Sequence, residues 1–287
     1  MSKREKTVKQ KSGIVRLLQF AALAVLFALF MVPFVLVVLN AFKFKRDIIT
    51  DPFSLWPSRG FTLENFTAAF QKMNYTRAFL NSLFITGLAT VAVIFLSAML
   101  AYYIVRARNK LGKSMYAVMI ASMIIPFQAI MIPLVSIYGA QLQLLNNRLT
   151  LVFLHTGFAM SMSVFMYSGF LRSSINSSLE EAAYLDGCTR RQTFFRIVFP
   201  LMKPTTATLT ILNVLAFWND YLLPSLVLGR RELFTLPLST YAFYGTYSAD
   251  YGSIMAALVL TVLPILVLYL FLQKQIVRGV VAGAVKS

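Results

Sequence analysis

Little in this chain is charged, and most of what is charged has one sign. Asp, Glu, Lys and Arg make up 13% of its 287 residues, against roughly 25% in soluble domains. Only 10 residues are acidic, against 27 Lys and Arg. A single cysteine, Cys188, excludes an intramolecular disulfide framework. With one histidine, His155, it also leaves no ligand set for a zinc or haem centre. No nucleophile–base pair stands out either, which argues against a membrane enzyme. What the chain has in abundance is apolar: 58% of residues are hydrophobic. They cluster in runs longer than about 18, the length at which a transmembrane helix is the default reading. A soluble enzyme is excluded.

A net charge of +17 would point to nucleic acid in a soluble chain. Here the cations are placed as a membrane requires, so no nucleic-acid partner is expected. Six apolar segments of 21 to 27 residues read as spans: 17–41, 78–104, 114–138, 149–171, 204–228 and 252–272. About 20 residues cross the hydrocarbon. Segments 1–16, 105–113, 172–203 and 273–287 hold 18 Lys and Arg in 72 residues, whereas 42–77, 139–148 and 229–251 hold 9 in 69. Cationic loops stay in the cytoplasm, so the first set and both termini are expected there. The chain then divides into a basic tail (1–16), a six-span domain (17–272) and a C-terminal tail (273–287). The basic start followed by an apolar run has the layout of a signal peptide. Its run is too long for an h-region, so it is read as an uncleaved first span. Pro33, Pro126, Pro133, Pro224 and Pro264 interrupt spans, giving either a kinked bundle or broken helices along a pathway.

The cytoplasmic loop 172–203 is too polar for a span and too patterned for a linker. Ser177 with Glu180, or Ser178 with Glu181, offers a capping box for a short helix. Gly187 sits where a glycine ends it, and Thr189 opens a second helix running to about Phe199, closed by Pro200 and Pro204. On the first helix Leu179, Ala182, Ala183 and Asp186 share a face. Two alanines there suit close approach by another protein; an amphipathic helix on the membrane surface is the other reading.

Glu181-Ala182-Ala183, then Gly187, Ile197 and Phe199-Pro200, resembles the EAA loop of ABC importer permeases, with Phe199 where leucine is usual. Asp186-Gly187 and Pro200…Pro204 resemble the carbohydrate branch. Phe127 through Leu134, Leu145-Asn146-Asn147, Phe217-Trp218-Asn219-Asp220-Tyr221 and the end from Gln273 through Gly279 to Lys286 extend the likeness to nearly the whole chain. It is similar to the smaller permease subunit of maltose-type importers.

The resemblance implies an all-α membrane protein, six transmembrane helices with a cytoplasmic helix–turn–helix coupling loop, in a prokaryotic cytoplasmic membrane. It implies the permease subunit of an ATP-driven oligosaccharide importer. Glu181, Ala182, Ala183, Asp186 and Gly187 would couple it to an ABC ATPase dimer, reached also by the C-terminal tail. ATP and Mg would be bound by that ATPase, leaving this chain without a cofactor or metal. Further partners implied are a second homologous permease, an extracellular or periplasmic sugar-binding protein, and membrane lipid. Related permeases push the loop corresponding to 229–251 into the binding protein, so Tyr244 and Tyr247, among the aromatics Tyr241, Phe243 and Tyr251, are expected to face it.

Asp220 is the one carboxylate inside a predicted span, and an intramembrane charge is a functional candidate by default. With Trp218 and Asn219 it is a candidate for the translocation path, or else a structural cap near the outer interface. His155, without an acidic partner in its own span, reads as a neutral packing histidine rather than a proton relay. Residues 107–114 mimic a phosphate loop. They have one glycine and follow an apolar helix rather than a strand, so they read as a basic connector. The competing function is a secondary transporter driven by an ion gradient, which would need more buried carboxylates and often shows internal repeats.

Overall fold

The computed structural model describes residues 3–107, 109–243 and 250–284, and among these the chain is helical apart from short connections and one isolated bridge, Lys43 to Phe61. Two compact units divide it: Met1–Lys72 with Ala242–Leu260, and Met73–Tyr241 with Thr261–Ser287.

In the first unit α1 (Lys3–Ala41) runs through Pro33 without a break and is exposed from Val15 to Val35. A knot of polar groups ends it. Lys43 is fully buried and its Nζ donates to the carbonyls of Asp51 at 3.2 Å and Pro52 at 3.0 Å. The short helix α2 (Lys45–Thr50) carries Asp47, whose carboxylate accepts from Ser58 Oγ and the Arg59 N–H. Helix α3 (Glu64–Lys72) supplies Asn65, whose Nδ2 donates to the Ala41 and Lys43 carbonyls at 2.9 and 2.8 Å. Gly252 lies so close to the Asn65 carboxamide that a Cβ would overlap it, so only glycine fits. Lys72 Nζ reaches Asp250 Oδ2 at 2.7 Å and lies 5.6 Å from the centre of the Phe243 ring.

The second unit is built on α4 (Tyr75–Ala107). Ala89, Val93, Ser97 and Ala101, spaced by four, are fully buried along it. Small residues at this spacing let helices approach closely, the packing rule where lipid removes the hydrophobic drive. Helices α5 (Lys110–Ser122) and α6 (Phe127–Val135) follow, then α7 (Arg148–Ser174), which packs along α4. A short helix α8 (Ser178–Leu185) leads to α9 (Arg190–Thr193), then through a π-helical turn to α10 (Phe199–Leu201). Next come α11 (Lys203–Asn219), α12 (Leu222–Val227), α13 (Leu236–Ser239) and, shared between the units, α14 (Tyr251–Ala284). Tyr167 of α7 and Thr206 of α11 are joined by a hydrogen bond of 2.9 Å, and Ser122 of α5 meets Ser161 of α7 at 2.7 Å.

Four helices are long and apolar enough to cross a membrane, or up to six if each of two bent pairs counts as one span. The bends follow the sequence expectation only in part. Segment 114–138 is broken between α5 and α6 by 99°, at Pro126, which disfavours helix at Ile125 before it. Segment 204–228 breaks at Asp220–Tyr221 and not at Pro224, which sits in the first turn of α12 where a missing N–H costs nothing. Pro200 likewise opens α10 instead of closing the helix before it; the chain turns by 74° at Met202. The stretch 273–284, read as a separate tail, continues α14 as helix.

Candidate functional site

Two regions of the second unit gather the chemistry. The first is α8 and its turn. Neither expected serine caps it: Ser177 is helical with no side-chain cap, and the Asn176 side chain accepts the Ser178 N–H instead, at 3.2 Å. The exit follows expectation. Gly187 adopts φ +81, its N–H bonds to the Tyr184 carbonyl and that of Cys188 to the Ala183 carbonyl, a left-handed helix stop. A Cβ on Gly187 would meet nothing, so glycine is required there by the backbone rather than by space. Thr189 then caps α9 through a capping box with Gln192.

Burial separates the faces of α8. Glu180 and Ala183 point inward, each about 5% exposed or less, while Leu179, Glu181, Ala182 and Asp186 face outward and Leu185 is 89% exposed. Ala183 therefore leaves the outer face to which the sequence assigned it, because spacing by three ties it to Glu180. Glu180, which the sequence offered only as part of a capping box, holds the helix in place. Arg106 Nε donates to its Oε1 at 2.7 Å and Tyr102 Oη to its Oε2 at 2.8 Å. A second arm of Arg106 reaches the Ile175 carbonyl at 2.9 Å. Both carboxylate oxygens are satisfied in a site where the side chains are 17% and 6% exposed.

The second region is a cleft of about 1180 Å³ among α5, α6, α7, α11 and α12. Phe127, Phe153, Phe158 and Tyr138 line it. On its polar side stand His155, Asn213, Asn219 and Asp220. Asp220 follows α11 in an extended conformation, and its Oδ1 accepts the N–H groups of Leu222 and Leu223 at 2.9 and 3.4 Å. Its other oxygen lies 3.9 Å from His155 Nδ1. One oxygen of Asp220 thus caps α12, and the residue also lines the cleft. His155, 4% exposed, also packs on the Phe217 ring at 4.6 Å between centres. Its acidic neighbour comes from another helix, which no reading of one span can reveal. Trp218 is not part of the cleft lining; it is buried against Phe79, ring centres 5.8 Å apart. Phe243 is buried as well, beneath Lys72. Tyr244 and Tyr247 lie outside the described residues.

The Leu145-Asn146-Asn147 element acquires a reason. Asn146 is left-handed at φ 59, and its Oδ1 accepts the Gly229 and Arg230 N–H groups at 2.6 and 3.1 Å. Its N–H donates to the Val227 carbonyl at 2.7 Å, while Asn147 caps α7.

A family model described as "binding-protein-dependent transport system inner membrane component" matches residues 93–282. The chain belongs to that family. It is an inner-membrane transport permease and not an enzyme. Among its relatives, a probable starch degradation products transport permease of Thermoanaerobacterium thermosulfurigenes is 38% identical, over 92% of this chain and 94% of that one. A melibiose/raffinose/stachyose import permease of Bacillus subtilis is 34% identical, over 89% and 91%. In fold, the permease is similar to a chain of a bacterial ABC transporter involved in import of the acidic polysaccharide alginate. That match has a TM-score of 0.77 at 20% identity, covering 96% of this chain and 98% of that one.

Proposed function

We propose that the permease is one of two membrane subunits of an ATP-driven importer of sugar oligomers, coupled through α8 to a separate ATPase. The outward face of α8 carries this reading. Leu179, Ala182, Leu185 and Asp186 stand clear of the chain on a helix clamped from behind by Arg106 and ended by a left-handed glycine. A helix held at one face and bare at the other transmits a push. When the ATPase dimer closes on ATP, two such helices are drawn together. Arg106 then passes the movement into α4 and the spans pivot from inward- to outward-facing. ATP and Mg belong to the ATPase subunits. The relatives that import starch degradation products and raffinose-type sugars support the substrate class.

In this reading α5 with α6 forms the third span and α11 with α12 the fifth, giving six, with both termini and the 172–203 loop cytoplasmic as the cation bias directs. Residues 1–16 form a basic tail and 273–287 a C-terminal tail that reaches the ATPase. The apolar face of α1, exposed from Val15 to Val35, meets lipid or the second permease. A sugar-binding protein delivers substrate at the outer face. Co-purification of the tagged chain from native membranes tests the assembly. Recovery of an ABC ATPase and a second permease is the expected result. Recovery of the chain alone, still transporting once reconstituted, would overturn it.

A further inference from the structure

We propose that the cleft in this chain is itself a sugar subsite, selective for neutral sugars over uronates, in which His155, Asp220 and Asn213 take the hydroxyls. The inference rests on the sugar-importer reading and adds to it the charge class of the substrate and the residues that read it.

The cleft holds buried polar atoms with nothing to bond. His155 Nε2 and Asn213 Nδ2 are both without a hydrogen-bond partner, on side chains from residues 4% and 7% exposed, and both residues line the cleft. An unpaired buried polar group is costly, and such a group in a native structure calls for a partner that arrives. A proton on Nδ1, the nitrogen 3.9 Å from the Asp220 carboxylate, leaves a lone pair on Nε2. The Asp220 Oδ2 atom presents more, because the helix-capping bonds fall on Oδ1. Asn213 Nδ2 adds a donor. Asn213 lies on α11 and Asp220 directly follows its last residue, and both line the cleft. Two acceptors beside a donor match adjacent hydroxyls, each of which gives and takes a hydrogen bond.

Size and walls agree with this ligand. At about 1180 Å³ the cleft exceeds the roughly 300–1,000 Å³ of ordinary small-molecule pockets, which leaves room for more than one sugar ring. Phe127 and Phe158, edge to face at 5.3 Å between centres, and the Tyr138–Phe153 pair offer aromatic surface to the C–H face of a pyranose. Charge decides the class. Among the described residues the lining has no Lys or Arg, and Asp220 is its one carboxylate. A uronate brought into this cleft would meet like charge at Asp220 with no cation in the lining to pair with. A neutral hydroxyl has no such conflict.

The test is saturation-transfer NMR on the detergent-purified assembly containing this chain, with maltotriose and trigalacturonate as probes. Transfer to maltotriose should exceed that to trigalacturonate. His155→Ala and Asn213→Ala should each weaken maltotriose binding by about three- to tenfold, the loss of one hydrogen bond. The near-isosteric Asp220→Asn keeps an oxygen to cap α12, so it should preserve the fold while raising transfer to trigalacturonate. Equal maltotriose transfer to parent and variants, or no preference for it over trigalacturonate in the parent, would overturn the subsite. ATP-dependent maltotriose uptake by proteoliposomes, run in parallel with the binding protein, separates the two readings. Uptake with unchanged binding sinks only the subsite, whereas no ATP-dependent uptake of any sugar sinks the importer itself.

Discussion

Arg106, in the last turn of α4, and Glu180, in the first turn of α8, lie 74 residues apart in sequence and meet at 2.7 Å. Tyr102, one turn before Arg106, fills the second carboxylate oxygen. α8 is thereby bolted to α4, and a force on one is a force on the other. Glu181, next in sequence, points away and is free for a partner.

Removing half of the bolt is expected to be severe. Arg106→Ala leaves a carboxylate with one hydrogen bond in a nearly dry site, a change that typically costs about 3–5 kcal/mol. The double replacement Arg106→Met with Glu180→Leu removes both charges and should restore much of the stability. Transport should stay impaired, because the directional link is gone. Thermal unfolding in detergent beside uptake assays reads both; equal stability of Arg106→Ala and the parent would sink the assignment.

Gly187 tests whether the turn acts through its backbone. With open space around the missing Cβ, Gly187→Ala should cost about 1–2 kcal/mol through left-handed strain alone. Gly187→Asn should cost less, since asparagine visits that region more readily. Uptake should follow the same order. Gly187→Pro, whose ring forbids positive φ, should insert in the membrane and yet fail to transport. Normal uptake by that protein would remove Gly187 from the coupling device.

Leu185 is 89% exposed, the most of the large apolar side chains on α8. Leu185→Asp should change stability by no more than about 0.5 kcal/mol, as surface substitutions do, and should abolish recovery of the ATPase. Unchanged recovery would mean that the docking face lies elsewhere.

Asn146 combines a left-handed backbone with a side chain that accepts two N–H groups, and two variants separate these roles. Asn146→Gly keeps the conformation and should cost about 1 kcal/mol for the lost acceptor. Asn146→Ala adds left-handed strain of about 1–2 kcal/mol. Equal melting temperatures for the two variants would contradict the division.

The Lys72–Asp250 pair gives a pH signature outside the spans. Partial burial pushes the Asp250 carboxyl up, but hydrogen bonds from Lys72 and Ser253 outweigh it and hold the group below the ordinary value of 3.8. A depressed folded-state value stabilises the fold above the ordinary carboxylate range, and this is lost as pH falls through the depressed one. Both side chains are over a third exposed, so less than about 1 kcal/mol is at stake. Unfolding of the parent followed from pH 7 down to about pH 3 should lose a small increment that Asp250→Asn lacks throughout.

Apolar run length and the one-sided placement of cations made the chain a helical membrane protein before any fold was known, since a bilayer admits few other solutions for so apolar a chain. The Gly187 stop and the Thr189 cap were readable too, because both are set by residues within a few positions of each other. Helix breaks were read less well. The prolines marked them as candidates, but Pro33 and Pro224 sit where the backbone absorbs them, and the break at Asp220 depends on a side chain that takes N–H groups from the next helix. Ala183 was placed on the wrong face because a short helix with mixed residues does not declare which side is covered. The Arg106–Glu180 bolt and the His155–Asp220 approach belong to tertiary structure alone. Each joins residues on different helices, and nothing local in either partner states the distance that packing brings them to.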